Sequence, residues 1–252
     1  MVGNARENPY IESMDKRRDP DRIPIEVGRA PPAAHPSAAG APSDASRTPV
    51  MVPIRSLGAN HRDRIAAHLI SLEPHDRYLR FGYAASDEKI RHYIDGLNFE
   101  RDEIFGIYNR KLELIAMAHL AYPADKTSNS GAEFGVSVLK SARGRGYGAR
   151  LFERAAMHAR NDGITQMYIH ALSENSVMLR IAKHAGAVVH RDGSESEAYL
   201  RLPAATLDSQ MTEIVHEHLA QADYRMKAQA KHFSNLLAGF QVARSTASTP
   251  EQ

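Results

Sequence analysis

The sequence has 252 residues, 25% of them charged, and a formal net charge of +2 at neutral pH. This length is sufficient for one domain with a sizeable core plus appendages, and the near-neutral charge argues against a nucleic acid or an anionic membrane as partner. The lack of cysteine excludes disulfides, thiolate metal sites and a cysteine nucleophile.

The N-terminal part of the chain predicts an arm without a core of its own. Residues 1–22 are charged and lack the apolar centre of a secretion signal, so we expect no export and a cytoplasmic protein. Residues 30–42 are rich in proline, alanine and serine and offer little apolar surface to offset chain entropy. The sequence predicts a disordered arm over 1–48, an ordered domain over 49–203, a helical extension over 204–244 and a disordered tail over 245–252.

Order is predicted to begin with a short strand near Met51–Leu57, followed by three short helices. Asn60 is suited to cap the first helix, Pro74 to begin the second and Ser86 to cap the third. We expect these helices to form one wall of a cleft. In the second helix, Arg77 and Arg80 are expected to be solvated rather than to contact a substrate.

From Ile104 onward the apolar spacing changes to that of strands. Ile104–Tyr108 and Leu112–Tyr122 flank a short polar connection, which predicts a hairpin. The second segment is apolar on both faces, so we place it centrally in a covered sheet. His119 within it is expected to be a buried histidine with its hydrogen bonds satisfied rather than a catalytic group.

The next strand leads into a glycine-rich loop that opens a helix. Glu133 shares a strand face with Gly135 and Ser137, and we expect these small residues to leave room for a ligand beside the carboxylate. In the loop, residues 143–148 read Arg-Gly-Arg-Gly-Tyr-Gly. Glycines permit unusual backbone angles, the helix start has unpaired N–H groups, and arginines add charge-assisted hydrogen bonds. The pattern predicts a phosphate-binding loop.

After the loop the chain alternates between helices and strands. A helix ends at Gly163, the strand Ile164–Leu172 follows, Ser173 is suited to cap a second helix, and two strands meet at a polar bend after Arg191. This order predicts an α/β or α+β fold with a mixed, mostly antiparallel sheet. A final helix from Thr206 to about Phe240, whole or broken, is predicted either to pack back on the domain or to form a homodimer.

The loop also fits a loose dinucleotide-binding pattern through Gly144, Gly146 and Ala149. That pattern belongs to a βαβ unit with an acidic residue about twenty positions further on. Here a hairpin precedes the loop, and Glu174 comes somewhat late. A nucleotide-binding oxidoreductase is therefore a weaker alternative.

Taken together, residues from Val52 to Leu202 resemble the GNAT superfamily of N-acetyltransferases. The loop matches the superfamily's Arg/Gln-x-x-Gly-x-Gly/Ala sequence, and the segment from Asn175 to Gly186 is similar to its downstream motif. The residues around Glu133, together with Asn175-x-x-Met178, look like those of bacterial protein lysine acetyltransferases. The resemblance implies a GNAT-like sheet flanked by helices, with a C-terminal helical extension.

The resemblance also implies a reaction and its residues. The expected activity is transfer of an acetyl group from acetyl-CoA to a primary amine of a protein lysine or a small molecule, with Glu133 as general base. Val138 and Leu139 would hold the pantetheine, and Asn175 would also contact the cofactor. The pyrophosphate would be held by Arg143, Gly144, Arg145, Gly146, Tyr147 and Gly148. No metal is expected, because the histidines lack ligand spacing.

One position departs from the superfamily pattern. Ala182 stands where many members have a tyrosine that protonates the leaving thiolate. This departure keeps a second interpretation open, in which the protein binds acyl-CoA as a catalytically silent sensor or scaffold. Nucleic-acid binding through the arginines of the loop is disfavoured by the charge balance. The sequence does not identify the acceptor.

Overall fold

The computed structural model describes residues 52–123 and 131–246, with side chains described as far as Lys231. These residues belong to a compact unit that begins at Val52. The predicted disordered arm over 1–48, most of the loop before Ala132 and residues 247–252 of the predicted tail over 245–252 lie outside the described residues, whereas residues 245–246 of that tail belong to the last helix.

Helices and strands alternate through the described chain. The strands are β1 Arg55–Ser56, β2 Glu103–Tyr108, β3 Leu114–Ala121, β4 Ala132–Val138, β5 Gln166–Leu172, β6 Val188–Asp192 and β7 Glu195–Arg201. The helices are α1 Arg62–Ile70, α2 Pro74–Phe81, α3 Asp87–Asp95, α4 Tyr147–Asn161, α5 Ser176–His184 and α6 Leu207–Thr246. Two short 3-10 turns, Ala59–His61 and Lys140–Ala142, precede α1 and the glycine loop.

Within the described ranges, the strands form one sheet in the order β1-β2-β3-β4-β5-β7-β6. Every neighbouring pair is antiparallel except β4 and β5, which run parallel. The predicted α+β fold with a mixed, mostly antiparallel sheet is confirmed. The two predicted hairpins, β2–β3 and β6–β7, are confirmed as well.

Most predicted element boundaries agree with the structure, and three local predictions are wrong. The first strand has only two paired residues, and Asn60 lies inside a 3-10 turn rather than capping α1. Ser173 does not cap α5, because its hydroxyl donates to the carbonyl groups of the β6–β7 turn, and Asn175 is the cap. Pro74 begins α2 and Ser86 caps α3, as predicted.

The main core lies between the sheet and the long helix α4. Phe134 of β4 and Phe152 of α4 meet edge to face with ring centroids 5.0 Å apart, and both are buried. Aromatic pairs of this kind add about 1 kcal/mol beyond the burial of their area. The opposite face of β3 and β4 is covered by α1 and α2, which contact these strands. As a result, residues on the two faces of β4 have different roles.

Helix α6 is one unbroken helix, and it contacts the domain through polar side chains. Glu213 accepts from Arg154 of α4 at 2.6 Å and from Asn161 at 2.6 Å, and its carboxylate also contacts His158 at 2.6 Å. Arg154 is itself buried, so this contact satisfies a charge inside the protein. The sequence left two roles open for this helix. It packs back on the domain along part of its length.

In the part of α6 whose side chains are described, the large apolar residues at its surface lie on the other side of the helix. They are exposed by 43 to 83%: Leu207, Met211, Ile214, Val215, Leu219 and Met226. Apolar residues at such spacing are expected to pack against the domain or against a partner. The polar side of the helix faces the domain instead, because Glu213 on that side binds Arg154 and His158. The apolar side is left at the surface.

The contact between α4 and α6 should make stability depend on pH. Burial alone would raise the pKa of Glu213, but hydrogen bonds from His158, Asn161 and Arg154 lower it to about 2. Burial alone would lower the pKa of His158, but the hydrogen bond to Glu213 and nearby carboxylates raise it above its usual 6.5. The contribution of Glu213 is present above pH 4.5 and lost as the pH falls towards 2. The contribution of His158 is present below pH 6.5 and lost as the pH rises through its raised pKa.

We expect Glu213→Gln to lower the free energy of unfolding by about 2 kcal/mol at pH 6, because it leaves the Arg154 charge buried without its main partner. The loss should be smaller at pH 8, where His158 contributes less to the wild type. Urea unfolding of both proteins at the two pH values measures this. Glu153→Gln, at an exposed position of α4, is the control. An equal loss at both pH values would contradict the assignment to His158.

Candidate active site

Strands β4 and β5 are paired only at their first residues. The pairs are Ala132 with Met167 and Glu133 with Tyr168, after which the two strands are no longer bonded to each other. On its other edge β4 is paired with β3 through Val138. The edge of β4 that faces β5 is therefore open immediately after Glu133. Backbone polar groups along such an edge are available to a ligand.

Alternation along β4 identifies those backbone groups. The N–H of Leu139 donates to the carbonyl of Ile115 at 3.0 Å, so residue 139 faces β3. Because successive residues of a strand point their backbone groups in opposite directions, Phe134, Val136 and Val138 direct theirs to the open edge. The Leu139 carbonyl accepts from Ala142, so both of its backbone groups already have partners.

The glycine-rich loop lies beyond the end of this open edge and at the start of α4. Gly144 has φ 76° and Gly146 has φ 74°, and a Cβ at either position would lie in open space. The glycines are therefore required by the left-handed backbone, not by crowding. Gly148 differs, because a Cβ there would lie 3.2 Å from Ile181 Cδ1 of α5. The loop is a tight turn whose outer surface is exposed.

The first backbone N–H groups of α4 have no side-chain cap. Gly146 is the N-cap residue, and it has no side chain to accept a hydrogen bond. Acidic residues are also missing from the first turn of the helix. A helix start with uncapped N–H groups and the positive end of the dipole favours an anion such as a phosphate.

The two arginines of the loop have different surroundings. Arg143 forms an ion pair with Asp76 of α2 at 2.5 Å, and its Nε donates to the Val138 carbonyl at 3.3 Å. These contacts connect the loop to α2 and to the end of β4. Arg145 is exposed. Arg143 therefore holds the loop in place, while Arg145 offers its charge to the solvent side.

Glu133 is buried, with 7% of its surface exposed, on the face of β4 covered by α1 and α2. The room that we expected above Gly135 is filled. A Cβ at Gly135 would lie 2.7 Å from the guanidinium of Arg80, which therefore lies directly on the strand one position from Glu133 on the same face. The expectation that Arg80 is a solvated arginine is wrong, since the absence of a side chain at Gly135 admits a guanidinium rather than a ligand.

A chain of hydrogen bonds holds Arg80 in this position. Arg80 donates to the Tyr93 hydroxyl at 3.2 Å, and that hydroxyl lies 2.6 Å from His119 Nδ1. His119 Nε2 lies 3.2 Å from Asp102, whose carboxylate also binds Arg101 at 2.9 Å. The prediction that His119 is buried and satisfied is confirmed. The sequence analysis gave Arg80 no role at the site and did not single out Asp102. Both residues are far from Glu133 in the sequence.

Two histidines on this face are kept neutral by burial. Burial lowers the pKa of His68 to about 4, although its hydrogen bond to the Leu114 carbonyl opposes the change. Its other nitrogen lies 2.8 Å from the Ser137 hydroxyl. Burial also lowers the pKa of His119, against the opposing effect of Asp102. The fixed cation beside Glu133 is therefore Arg80 rather than a histidine.

Other predicted residues have clear structural roles. The side-chain oxygen of Asn175 accepts from the Met178 N–H at 3.2 Å, so its amide is used at least in part as a helix cap. Tyr147 packs against the main core. Ala182 is fully buried in that core. Throughout the described residues, no group of histidines and carboxylates has the arrangement of a metal site.

Comparisons with known proteins bear on the family and on the fold. The sequence profile of the acetyltransferase (GNAT) family matches residues 67–187. No curated protein sequence matches the chain. Among solved structures, the chain is similar to the GNAT domain of PAT from S. lividans, with 21% identity and a TM-score of 0.52 over 59% of this chain and 89% of that one. This similarity confirms the predicted GNAT-like fold.

Weaker similarities extend to two other acetyltransferases. One is the GNAT-family acetyltransferase from Streptococcus pneumoniae, with 12% identity and a TM-score of 0.49 over 61% of this chain and 100% of that one. The other is spermidine N-acetyltransferase from Vibrio cholerae, solved with CoA and spermine, with 16% identity and a TM-score of 0.46 over 59% and 94% of the two chains.

None of the helices whose side chains are described is long and apolar enough to cross a bilayer.

Proposed function

We propose that the chain is a GNAT acetyltransferase that transfers an acetyl group from acetyl-CoA to a primary amine, since the profile of that family matches residues 67–187. One observation carries the proposal: the open edge of β4 begins at a buried carboxylate, Glu133, and leads towards an exposed glycine loop at the start of α4. An extended thioester with a diphosphate at its far end matches this arrangement.

Coenzyme A would be held along that path. Its diphosphate would bind the backbone N–H groups of residues 144–148, with Arg145 adding its charge. Its pantetheine would bind the backbone of Val136 and the N–H of Val138, because the Val138 carbonyl and both backbone groups of Leu139 already have partners. Arg143 would act mainly through its contacts with Asp76 and Val138, which hold the loop against α2 and β4.

The reaction requires a neutral amine, because an ammonium group has no lone pair. Glu133 would accept the proton from the ammonium, directly or through a water molecule. The amine nitrogen would then form a bond to the thioester carbonyl carbon, and the carbon–sulfur bond would break. The nitrogen, positively charged after the attack, gives up its second proton, and the leaving thiolate takes up a proton, directly from that nitrogen or through water, since Ala182 provides none. A backbone N–H at the open edge, near Val138, would stabilise the oxyanion.

The cation of Arg80 bears on the protonation of the amine. A positive charge next to the reacting amine disfavours the ammonium form and favours the neutral nucleophile. The hydrogen bonds through Tyr93 and His119 fix that charge before any substrate arrives. The cation would therefore be in place on the catalytic face of β4 when the amine binds.

Release of free coenzyme A from acetyl-CoA in the presence of a panel of primary amines tests the proposal. We expect release with at least one amine class and its loss in Glu133→Gln. The buried Ala182 favours one other candidate, a catalytically silent acyl-CoA sensor. Tight acetyl-CoA binding without release across lysine peptides, N-terminal peptides and small amines would support the sensor and contradict the enzyme.

We also propose that the exposed side of α6 mediates a homodimer. Val215, Leu219, Ala222 and Met226 follow alternating steps of four and three residues, which is the spacing of a two-stranded coiled coil. A helix of 40 residues is about 60 Å long. A second copy of the same helix offers the matching apolar seam.

Sedimentation velocity of the full chain tests the dimer. The wild type should sediment as a dimer, and Leu219→Glu should sediment as a monomer because it buries a charge in the seam. Gln210→Glu is the control at an exposed polar position of the same helix. A wild type that stays monomeric at high concentration would contradict the proposal.

A further inference from the structure

The registers of four strands place a row of side chains next to the candidate base. Glu133 of β4 is paired with Tyr168 of β5, Tyr168 with Tyr199 of β7, and Tyr199 with Val188 of β6. Residues in register share one face of a sheet. We call this side of β5, β7 and β6 the outer face. It is continuous with the face on which Glu133 lies.

The outer face is lined with aromatic rings. Tyr168 and Tyr199 meet edge to face with ring centroids 5.4 Å apart, and His190 and Tyr199 do so at 5.7 Å. The next row of the register contains His170, Glu197 and His190. Glu197 lies 3.5 Å from His170 and accepts from the Tyr199 hydroxyl.

Charge on the outer face is mostly negative. Three carboxylates share it beyond the tyrosine row: Glu197, Glu195 and Asp192, whose positions follow from the β5–β7 and β6–β7 registers. Arg201 is the basic residue at the opposite end of β7. Aromatic faces and carboxylates both attract a cation, so the surface is complementary to an ammonium group.

Of the described helices, α2 contacts β5 on the side of Glu133, and the rest of the outer face has exposed side chains. Helix α5 packs on the other side of the sheet, where Met178 and Ala182 join Ile169 and Ala198 in the main core. On the outer face, the side chains of Glu197 and His170 are 37% and 36% exposed. Val188 at the end of the row is 60% exposed. A ligand can therefore lie across β6, β7 and the exposed part of β5, up to the place where α2 covers Glu133.

We propose that the outer face is the acceptor-binding surface and that it selects a small aliphatic amine carrying a second ammonium group. This inference rests on the proposed acetyl transfer and adds the class of acceptor. The reacting amine would lie at Glu133, the methylene chain would cross Tyr168 and Tyr199, and the distal ammonium would bind at Tyr199 and Glu197. Strands lie about 4.8 Å apart, so Tyr199 is about 10 Å across the sheet from Glu133.

Matched amines test this selection. α,ω-Diamines of six to eight carbons should be acetylated with a kcat/KM at least about tenfold above that of the monoamine of equal length, because only the diamine reaches Glu197. In Glu197→Gln this preference should fall towards one, through a higher KM for the diamine, while the monoamine is unaffected. Glu100→Gln, an exposed carboxylate outside the outer face, is the control and should keep the preference.

Tyr199 provides a second, independent variant. Tyr199→Phe keeps the ring and should retain most of the preference, whereas Tyr199→Leu should lose it. Equal kcat/KM for diamines and monoamines in the wild type would overturn the inference, and so would a lysine peptide that is preferred over every diamine. Both outcomes leave the acetyltransferase proposal standing. Absence of transfer to any amine would instead contradict the proposed function itself.

Discussion

Gly146→Asp should weaken acetyl-CoA binding by at least about 100-fold. Gly146 has φ 74°, a backbone angle that costs most other residues about 1 kcal/mol or more. Aspartate would also place a negative charge on the loop at the proposed position of the diphosphate, where like charges repel. The two effects act together, because binding needs both the turn and its positive field. Isothermal titration calorimetry with acetyl-CoA measures the change.

Gly163→Asp is the matched control for this variant. Gly163 has φ 80° and an equally open Cβ position, but it follows the other end of the same helix. The control should lose a similar amount of stability and should keep its affinity for acetyl-CoA. If both variants bind acetyl-CoA as well as the wild type does, the loop is not the diphosphate site.

Glu133→Gln should lower kcat by at least about 100-fold while the affinity for acetyl-CoA stays within about twofold of the wild type. Glutamine has nearly the same shape but cannot accept the proton of the amine. Its position is one strand step from the Arg80 guanidinium and away from the glycine loop, so binding of the diphosphate should not depend on it. Thiol release measures turnover, and calorimetry measures binding.

The fold of Glu133→Gln needs its own control because Glu133 is buried. Thermal unfolding with and without acetyl-CoA should show a stabilisation by the ligand similar to that of the wild type. A folded variant with unchanged turnover would remove Glu133 from the mechanism. The proton would then have to leave the amine through another group on this face.

Local signals in the sequence were sufficient for much of the fold. The glycines at 144 and 146 predicted the turn ahead of α4, since a left-handed backbone is needed at both. The apolar spacing predicted β3 as a strand covered on both faces and β4 as a strand with two different faces. The stop at Gly163 follows from the same reasoning, because a helix commonly ends at a left-handed glycine.

The local sequence patterns did not predict features that depend on residues far apart in the sequence. The separation of β4 from β5 after Glu133 depends on how the two strands pair. The spacing of apolar residues along one strand does not predict it. The chain from Arg80 to Asp102 joins α2, α3, β3 and the segment before β2. Gly135 was the one local hint, since a glycine within a strand marks a close approach.

Helix α6 shows how a charge can override an apolar pattern. Its apolar spacing favoured burial of Leu219 and its neighbours, yet these residues are exposed. Arg154 and His158 on α4 needed a carboxylate, and Glu213 supplies it from the opposite side of the helix. An uncompensated buried arginine costs more than one exposed apolar side chain, so the ion pair decides which side faces the domain.

The central claim is that the loop at 144–148 holds the diphosphate of coenzyme A. Calorimetric titration of the wild-type protein with acetyl-CoA and with S-acetylpantetheine, which lacks the diphosphate, tests it most directly. We predict one site for acetyl-CoA and an affinity for acetylpantetheine that is at least about 100-fold lower. Equal affinities for the two compounds, or binding of NADH in place of acetyl-CoA, would contradict the claim.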